Sequence, residues 1–134
     1  MYTHEIKVRV RYAETDKMGF VYYGNYATYF EVARVEMLRS LGISYKDLED
    51  EGTLLPVVNF SINYKSPAHY DDELVIKTTI DSEPSAKIRF EYSVLKNDKE
   101  LASAETTLVF VNSKTMRPTR CPDKLAELFK KYFN

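Results

Sequence analysis

The sequence predicts an α+β fold: one long central helix wrapped by a curved, five-stranded antiparallel sheet, with a second helix at the C-terminal end. Three observations predict it. Apolar residues recur at helical spacing across residues 26–41. Five other segments alternate apolar and polar side chains with a period of two. A helix this apolar also needs a sheet to cover it, so the sheet should curl around it.

Taken in order, the first segment sets Ile6, Val8, Val10 and Tyr12 on one face and Lys7, Arg9 and Arg11 on the other, the pattern of a half-buried strand. From Glu14 to Gly24 the alternation stops, and Gly19 and Gly24 mark a loop. Asn25 then suits an N-cap, because its side chain can accept from backbone N–H groups of a first turn. Tyr26, Tyr29, Phe30, Ala33, Met37 and Leu41 form the apolar stripe of a helix about 24 Å long. Val32, Val35 and Leu38 widen that stripe and predict burial on more than one side. Gly42 fits the C′ position. Ser44 and Asp47 have capping-box spacing for a short helix that Gly52 ends.

Four strands follow. Their apolar faces are Phe60, Ile62 and Tyr64; Leu74, Ile76, Thr78 and Ile80; Ile88, Phe90, Tyr92 and Val94; and Ala102, Ala104, Thr106, Leu108 and Phe110. The short connections predict an antiparallel meander. Pro122 fits N1 of the last helix, where Leu125, Leu128, Phe129, Tyr132 and Phe133 make one apolar stripe. Residues 1–134 read as one domain. Its open sheet edges invite a second copy, which predicts a homodimer or a dimer of dimers.

Composition removes several function classes. Nineteen basic and twenty acidic residues give a net charge of -1, with no overall attraction to nucleic acid. The stretch from Met18 to Phe30 lacks charge but is shorter than the ~20 residues a membrane span needs. The N-terminus lacks the basic and apolar regions of a signal peptide, which predicts a cytoplasmic protein. Cys121, His4 and His69 are too few and too dispersed for a four-ligand zinc site, so no metal is expected. Chemistry should therefore rest on carboxylates, hydroxyls or backbone dipoles.

One segment concentrates such groups. Tyr12, Phe20, Tyr22, Tyr23, Tyr26, Tyr29 and Phe30 crowd around a loop that carries Asp16 just before a helix start. A helix N-terminus offers unpaired N–H groups and partial positive charge, which can polarise a carbonyl or hold an oxyanion. Asp16 beside it can serve as nucleophile or general base. The competing reading is an Asx-turn aspartate with core aromatics packed around a helix end.

The run Tyr12-x-Glu14-Thr15-Asp16-x-x-Gly19-x-Val21-Tyr22, continued by Asn25-Tyr26-x-x-Tyr29-Phe30-Glu31-x-Ala33-Arg34, resembles the signature of the 4-hydroxybenzoyl-CoA thioesterase-like branch of the hotdog-fold acyl-CoA thioesterases. Leu55-Pro56-Val57-Val58, Tyr64-Lys65-Ser66-Pro67-Ala68 and Asp71-Asp72-Glu73-Leu74 extend the resemblance, which covers roughly residues 5 to 112. It implies the hotdog fold, paired subunits with sites at their interface, and hydrolysis of an acyl-CoA thioester to free acid and CoA. CoA belongs to the substrate, so no separate cofactor is implied. The resemblance makes Asp16 catalytic and assigns carbonyl polarisation to the backbone N–H near Tyr23, with Gly24 and Asn25 beside it and Tyr22 and Tyr26 as pocket wall or core.

CoA phosphates call for basic residues, for which Lys65, Lys87 and Arg89 are candidates; the competing reading makes them solvated outer-face charges. Glu31 is a weaker catalytic candidate that can instead pair with Arg34 across one helix turn. His69 reads as a surface-turn residue, and Cys121 has no partner for a nucleophile's role. Hydratases of the same fold use a histidine paired with an acid near the central helix. This chain has no histidine between residues 5 and 68, which disfavours that chemistry. An acyl-carrier-protein thioesterase and a non-catalytic acyl-thioester-binding module are the remaining alternatives.

Overall fold

A computed structural model describes residues 1–133 of the chain. Strand β1 (Tyr2–Arg9) leads through a 3₁₀ turn at Tyr12–Glu14 and a loop into helix α1 (Gly24–Ser40). The short helix α2 (Tyr45–Asp50) and strands β2 (Thr53–Leu54), β3 (Val57–Tyr64), β4 (Glu73–Ile80), β5 (Lys87–Lys96), β6 (Lys99–Val109) and β7 (Val111–Asn112) follow, then helix α3 (Asp123–Lys130). Five strands form one antiparallel sheet in the order β1-β4-β5-β6-β3, and β2 pairs separately with β7.

The expected meander holds only for β4, β5 and β6. β3 crosses to the far edge and pairs with β6, in a register that sets Phe60 opposite Thr106 and Tyr64 opposite Ala102. Three strand spacings separate β3 from β4, about 14 Å. The link 65–72 is long enough to make that crossing, since each residue spans up to about 3.3 Å. It is tied down on the way: the N–H groups of Lys65 and Ser66 both donate to the Leu101 carbonyl.

α1 lies in the concave face of the sheet. Tyr26, Tyr29, Phe30, Ala33, Met37 and Leu38 are buried against the inward rows Leu74, Ile76 and Ile80 of β4, Ile88, Phe90, Tyr92 and Val94 of β5, and Ala102, Thr106 and Leu108 of β6. The Phe30 and Tyr92 rings stack at 4.3 Å. Each such side chain contributes about 1.5–3 kcal/mol on burial. α3 adds Leu125 and Phe129 to the core, and the Phe129 ring meets Tyr2 of β1 edge-on.

Several local expectations change. Tyr12 does not continue the β1 face; it is exposed in the 3₁₀ turn. Val32 is 45% exposed, so one side of α1 is open. Asn25 is not the N-cap of α1: the helix starts at Gly24, Tyr23 takes the cap position, and the Asn25 amide donates to the Glu14 carbonyl at 2.8 Å. The other end matches: Gly42 (φ 97°) donates to the Arg39 carbonyl and Ile43 to that of Leu38, a Schellman motif. Ser44 caps α2 by accepting from the Asp47 N–H. Pro122 is the N-cap of α3 rather than N1, and Tyr132 and Phe133 lie beyond the helix end. No helix among the described residues is long and apolar enough to cross a membrane.

Candidate active site

The loop between β1 and α1 folds back on itself. Asp16 N–H donates to the Phe20 carbonyl, and Gly19 N–H to that of Asp16. Gly19 has φ 83°, a left-handed conformation that suits glycine and lets the turn close. Inside this turn Asp16 Oδ1 accepts from the N–H groups of Met18 at 2.9 Å and Phe20 at 3.2 Å. The Asx-turn therefore exists, and it coexists with the chemical reading: Oδ2 has no hydrogen-bond donor among the described residues.

The start of α1 stands across from this turn. The N–H groups of Asn25 and Tyr26 are taken by the carbonyls of Tyr22 and Tyr23. Those of Tyr23 and Gly24 have no acceptor among the described residues. The donors available to a ligand are thus Tyr23 and Gly24; the Asn25 N–H is occupied. They carry the positive end of the α1 dipole.

Asp16 and Tyr23 line one cleft of about 330 Å³. Its apolar wall is Met18, Phe20, Val21, Tyr26 and Tyr64, and Lys65, Ser66 and Pro67 from the crossing link form its other side. That link also fixes the loop, since Val21 N–H donates to the Ala68 carbonyl at 2.8 Å and Phe20 bridges to His69. Tyr26 is buried and meets the Tyr64 ring edge-on at 5.4 Å. Burial raises the pKa of both phenols, with a further push from a neighbouring tyrosine, which keeps them neutral.

The structure separates the remaining candidates. Tyr22 is exposed and turns its ring to Tyr23, outside the cleft lining. Lys65 reaches the cleft and pairs with Glu100. Lys87 is exposed at the start of β5, opposite Val109, and is not part of the cleft. Arg89 lies on the outer sheet face, its guanidinium held by Glu91 and Glu105 and approached by Asp81 at 3.5 Å. Within one chain neither Lys87 nor Arg89 meets Asp16, and Arg89 follows the outer-face reading. Glu31 does not pair with Arg34 either. It lines a separate cavity of about 310 Å³, while the buried Arg34 donates to the Tyr92 hydroxyl at 3.1 Å. His69 is exposed in its turn, and burial beside Asp123 and Glu83 pushes the Cys121 thiol up to about 12.

Two residues at or beside the cleft were not singled out by the sequence reading. Tyr64 completes the cleft wall only because β3 pairs with β6, although it stands in the Tyr64-Lys65-Ser66-Pro67-Ala68 run. Glu14 is 6% exposed. It accepts from the Arg11 N–H and guanidinium and from the Tyr29 hydroxyl. Burial raises its pKa, but these hydrogen bonds outweigh burial and hold the carboxyl below the usual range.

A long helix held in a curled antiparallel sheet defines the hotdog-fold class, and its loop carboxylate Asp16 shares one cleft with Tyr23 at the helix start. The comparisons narrow the class. A model of the thioesterase-like superfamily matches residues 10–129, and the chain belongs to that family, which makes it a thioester hydrolase. It is 34% identical to the acyl-CoA thioester hydrolase YbgC of Escherichia coli O6:H1 over 92% of this chain and 92% of that protein. It is 30% identical to the acyl-acyl carrier protein thioesterase ATL3 of Arabidopsis thaliana, over 94% of this chain and 67% of that one. The structure of a DHNA-CoA thioesterase from Staphylococcus aureus superposes with a TM-score of 0.93 and 32% identity, covering 98% of this chain and 91% of that chain.

Proposed function

We propose that the protein hydrolyses acyl-CoA thioesters, with Asp16 as the reacting carboxylate and the backbone N–H groups of Tyr23 and Gly24 polarising the carbonyl. The observation that carries this reading is one cleft lined by a carboxylate with a free oxygen and by Tyr23, the N-cap of α1, whose N–H has no acceptor among the described residues; Gly24 adjoins it in the chain. The names of the relatives support the substrate class. The thioester carbonyl oxygen sits on the donors, where growing negative charge is stabilised. Asp16 Oδ2 then attacks the carbonyl carbon and expels the CoA thiolate, and water cleaves the resulting anhydride. In the other route Asp16 takes a proton from the attacking water. Oxygen-18 from labelled water found in the Asp16 carboxylate after a single turnover selects the first route.

The substrate reaches the cleft between two copies of the chain joined along β3. Support comes from the free edge of β3 and from Val57, Phe60 and Tyr64, which are exposed on it. Lys65 stands at the cleft for a CoA phosphate. The carrier-protein relative favours a second reading, in which the thiol carrier is a protein. Thiol release from a panel of acyl-CoAs and matched acyl carrier protein thioesters tests both. Turnover of acyl-CoA at least as fast as of the carrier-protein ester upholds the first reading. Turnover of the carrier-protein ester alone installs the second, and no thiol release from either removes the enzyme reading.

A further inference from the structure

The cleft is assembled from two pieces that meet at a corner: the turn that carries Asp16 and the start of α1. The buried carboxylate of Glu14 lies between them and is not part of the cleft lining. Oε1 accepts from the Arg11 N–H at 2.8 Å and the Tyr29 hydroxyl at 2.9 Å. Oε2 accepts from Arg11 Nε at 3.1 Å and Nη2 at 2.9 Å. Its own carbonyl accepts from the Tyr22 N–H at 2.9 Å and the Asn25 amide at 2.8 Å. One residue thus grips the end of β1, the second turn of α1 and the residues either side of the Tyr23 and Gly24 donors.

We propose that Glu14 is a positioning residue: through Arg11 and Tyr29 it locks the Asp16 turn onto α1 and sets the gap between the Asp16 carboxylate and the Tyr23 and Gly24 donors. The inference rests on the reading of Asp16 as the reacting group. Stability alone does not call for a carboxylate here. A buried charge is costly to desolvate, and replacing a whole buried ionic network by well-packed apolar groups is often neutral or stabilising. A carboxylate instead gives direction, because its two oxygens fix hydrogen-bond partners on three sides. Asp16 follows two residues later, so a rotation of Glu14 moves the whole turn.

The test measures kcat, KM and Tm for wild type, Tyr29→Phe, Glu14→Gln and Asp16→Asn, on an acyl-CoA that the wild type hydrolyses. Tyr29→Phe should lower kcat about tenfold and Glu14→Gln about 100-fold, the loss that a misplacement of about 1 Å produces. KM should stay within about twofold, because the cleft wall and its donors remain. A Tyr29→Phe/Glu14→Gln double variant, measured alongside, should fall no further than Glu14→Gln alone, since both remove one tie. Tyr29→Phe keeps its ring in the core, so it carries the test even if Glu14→Gln is not recovered folded. Wild-type kcat in Tyr29→Phe beside an inactive Asp16→Asn overturns the positioning role and leaves Asp16 standing. A raised KM with unchanged kcat overturns it as well. An active Asp16→Asn removes the underlying reading and this inference with it.

Discussion

The corner at residues 11–29 and the edge strand β3 use similar residues to opposite ends. In the corner, polar groups are tied to named partners: Glu14 to Arg11 and Tyr29, Asn25 to the Glu14 carbonyl, Asp16 Oδ1 to two N–H groups. On β3, Phe60 and Tyr64 stand exposed, and no residue of the strand is fully buried. The corner's polar groups are satisfied within one chain, whereas the outer edge of β3 pairs with no strand among the described residues. A carboxylate can be fixed by neighbours close in the chain, whereas an open sheet edge leaves its backbone groups free to pair with another strand.

The strongest way to break this comparison is at the corner. Asp16→Asn keeps the Asx-turn acceptor and should lose about 10²–10⁴ in kcat, as expected for a reacting acid–base group. Circular dichroism and Tm should be nearly unchanged. Near-normal turnover would show that the finished corner serves only the fold.

A second test sets two phenylalanines of the same sheet against each other. Phe90 is fully buried, so Phe90→Ala should cost about 3–5 kcal/mol in denaturant unfolding. Phe60 is 42% exposed, and Phe60→Ala should cost less than about 1 kcal/mol in dilute protein. If β3 is an interface, the Phe60 penalty should grow with protein concentration, because association stabilises only the wild type. Equal costs at all concentrations would erase the contrast.

A third, smaller effect depends on pH. The Glu14 carboxyl titrates below its unfolded value in the folded chain. Its contribution is therefore fully present above about pH 4.3, the ordinary value, and is lost as pH falls through the lower folded value. The Tm gap between wild type and Glu14→Gln should be constant from about pH 8 to about pH 5.5 and shrink as pH falls below the ordinary glutamate value. The smallest effect lies away from both regions: Ser44→Ala should cost about 1 kcal/mol by removing the cap on Asp47, with no change in kcat.

Sequence pattern located the elements well where one face is buried. The alternation through β4 and β5 and the stripe of α1 follow directly from burial against each other. It failed where the decisive neighbour is distant in the chain. Nothing in residues 57–64 says that β3 pairs with β6 rather than β4, so Tyr64 could not be assigned to the cleft. Arg89 shows the same limit: its face was readable, but Glu105 comes beside it only through the β5–β6 register. Asn25 failed differently. It has a cap residue's chemistry, but the Glu14 carbonyl takes its side chain, a contact that exists only once the loop has folded back. Asp16 was singled out because its loop adjoins the helix start in sequence, and Tyr23 through the family resemblance; both line the same cleft.

The crossing of β3 to the far side of β6 also sets a timetable. Val57 must wait for Leu108, some fifty residues later, before its backbone finds a partner. During synthesis the most exposed apolar strand of the sheet is thus made early and seated late, a long-range pairing of the kind that slows folding and invites premature association. The ladder of β3 can form only after β6 has emerged, so this strand stays unpaired while most of the sheet is being made.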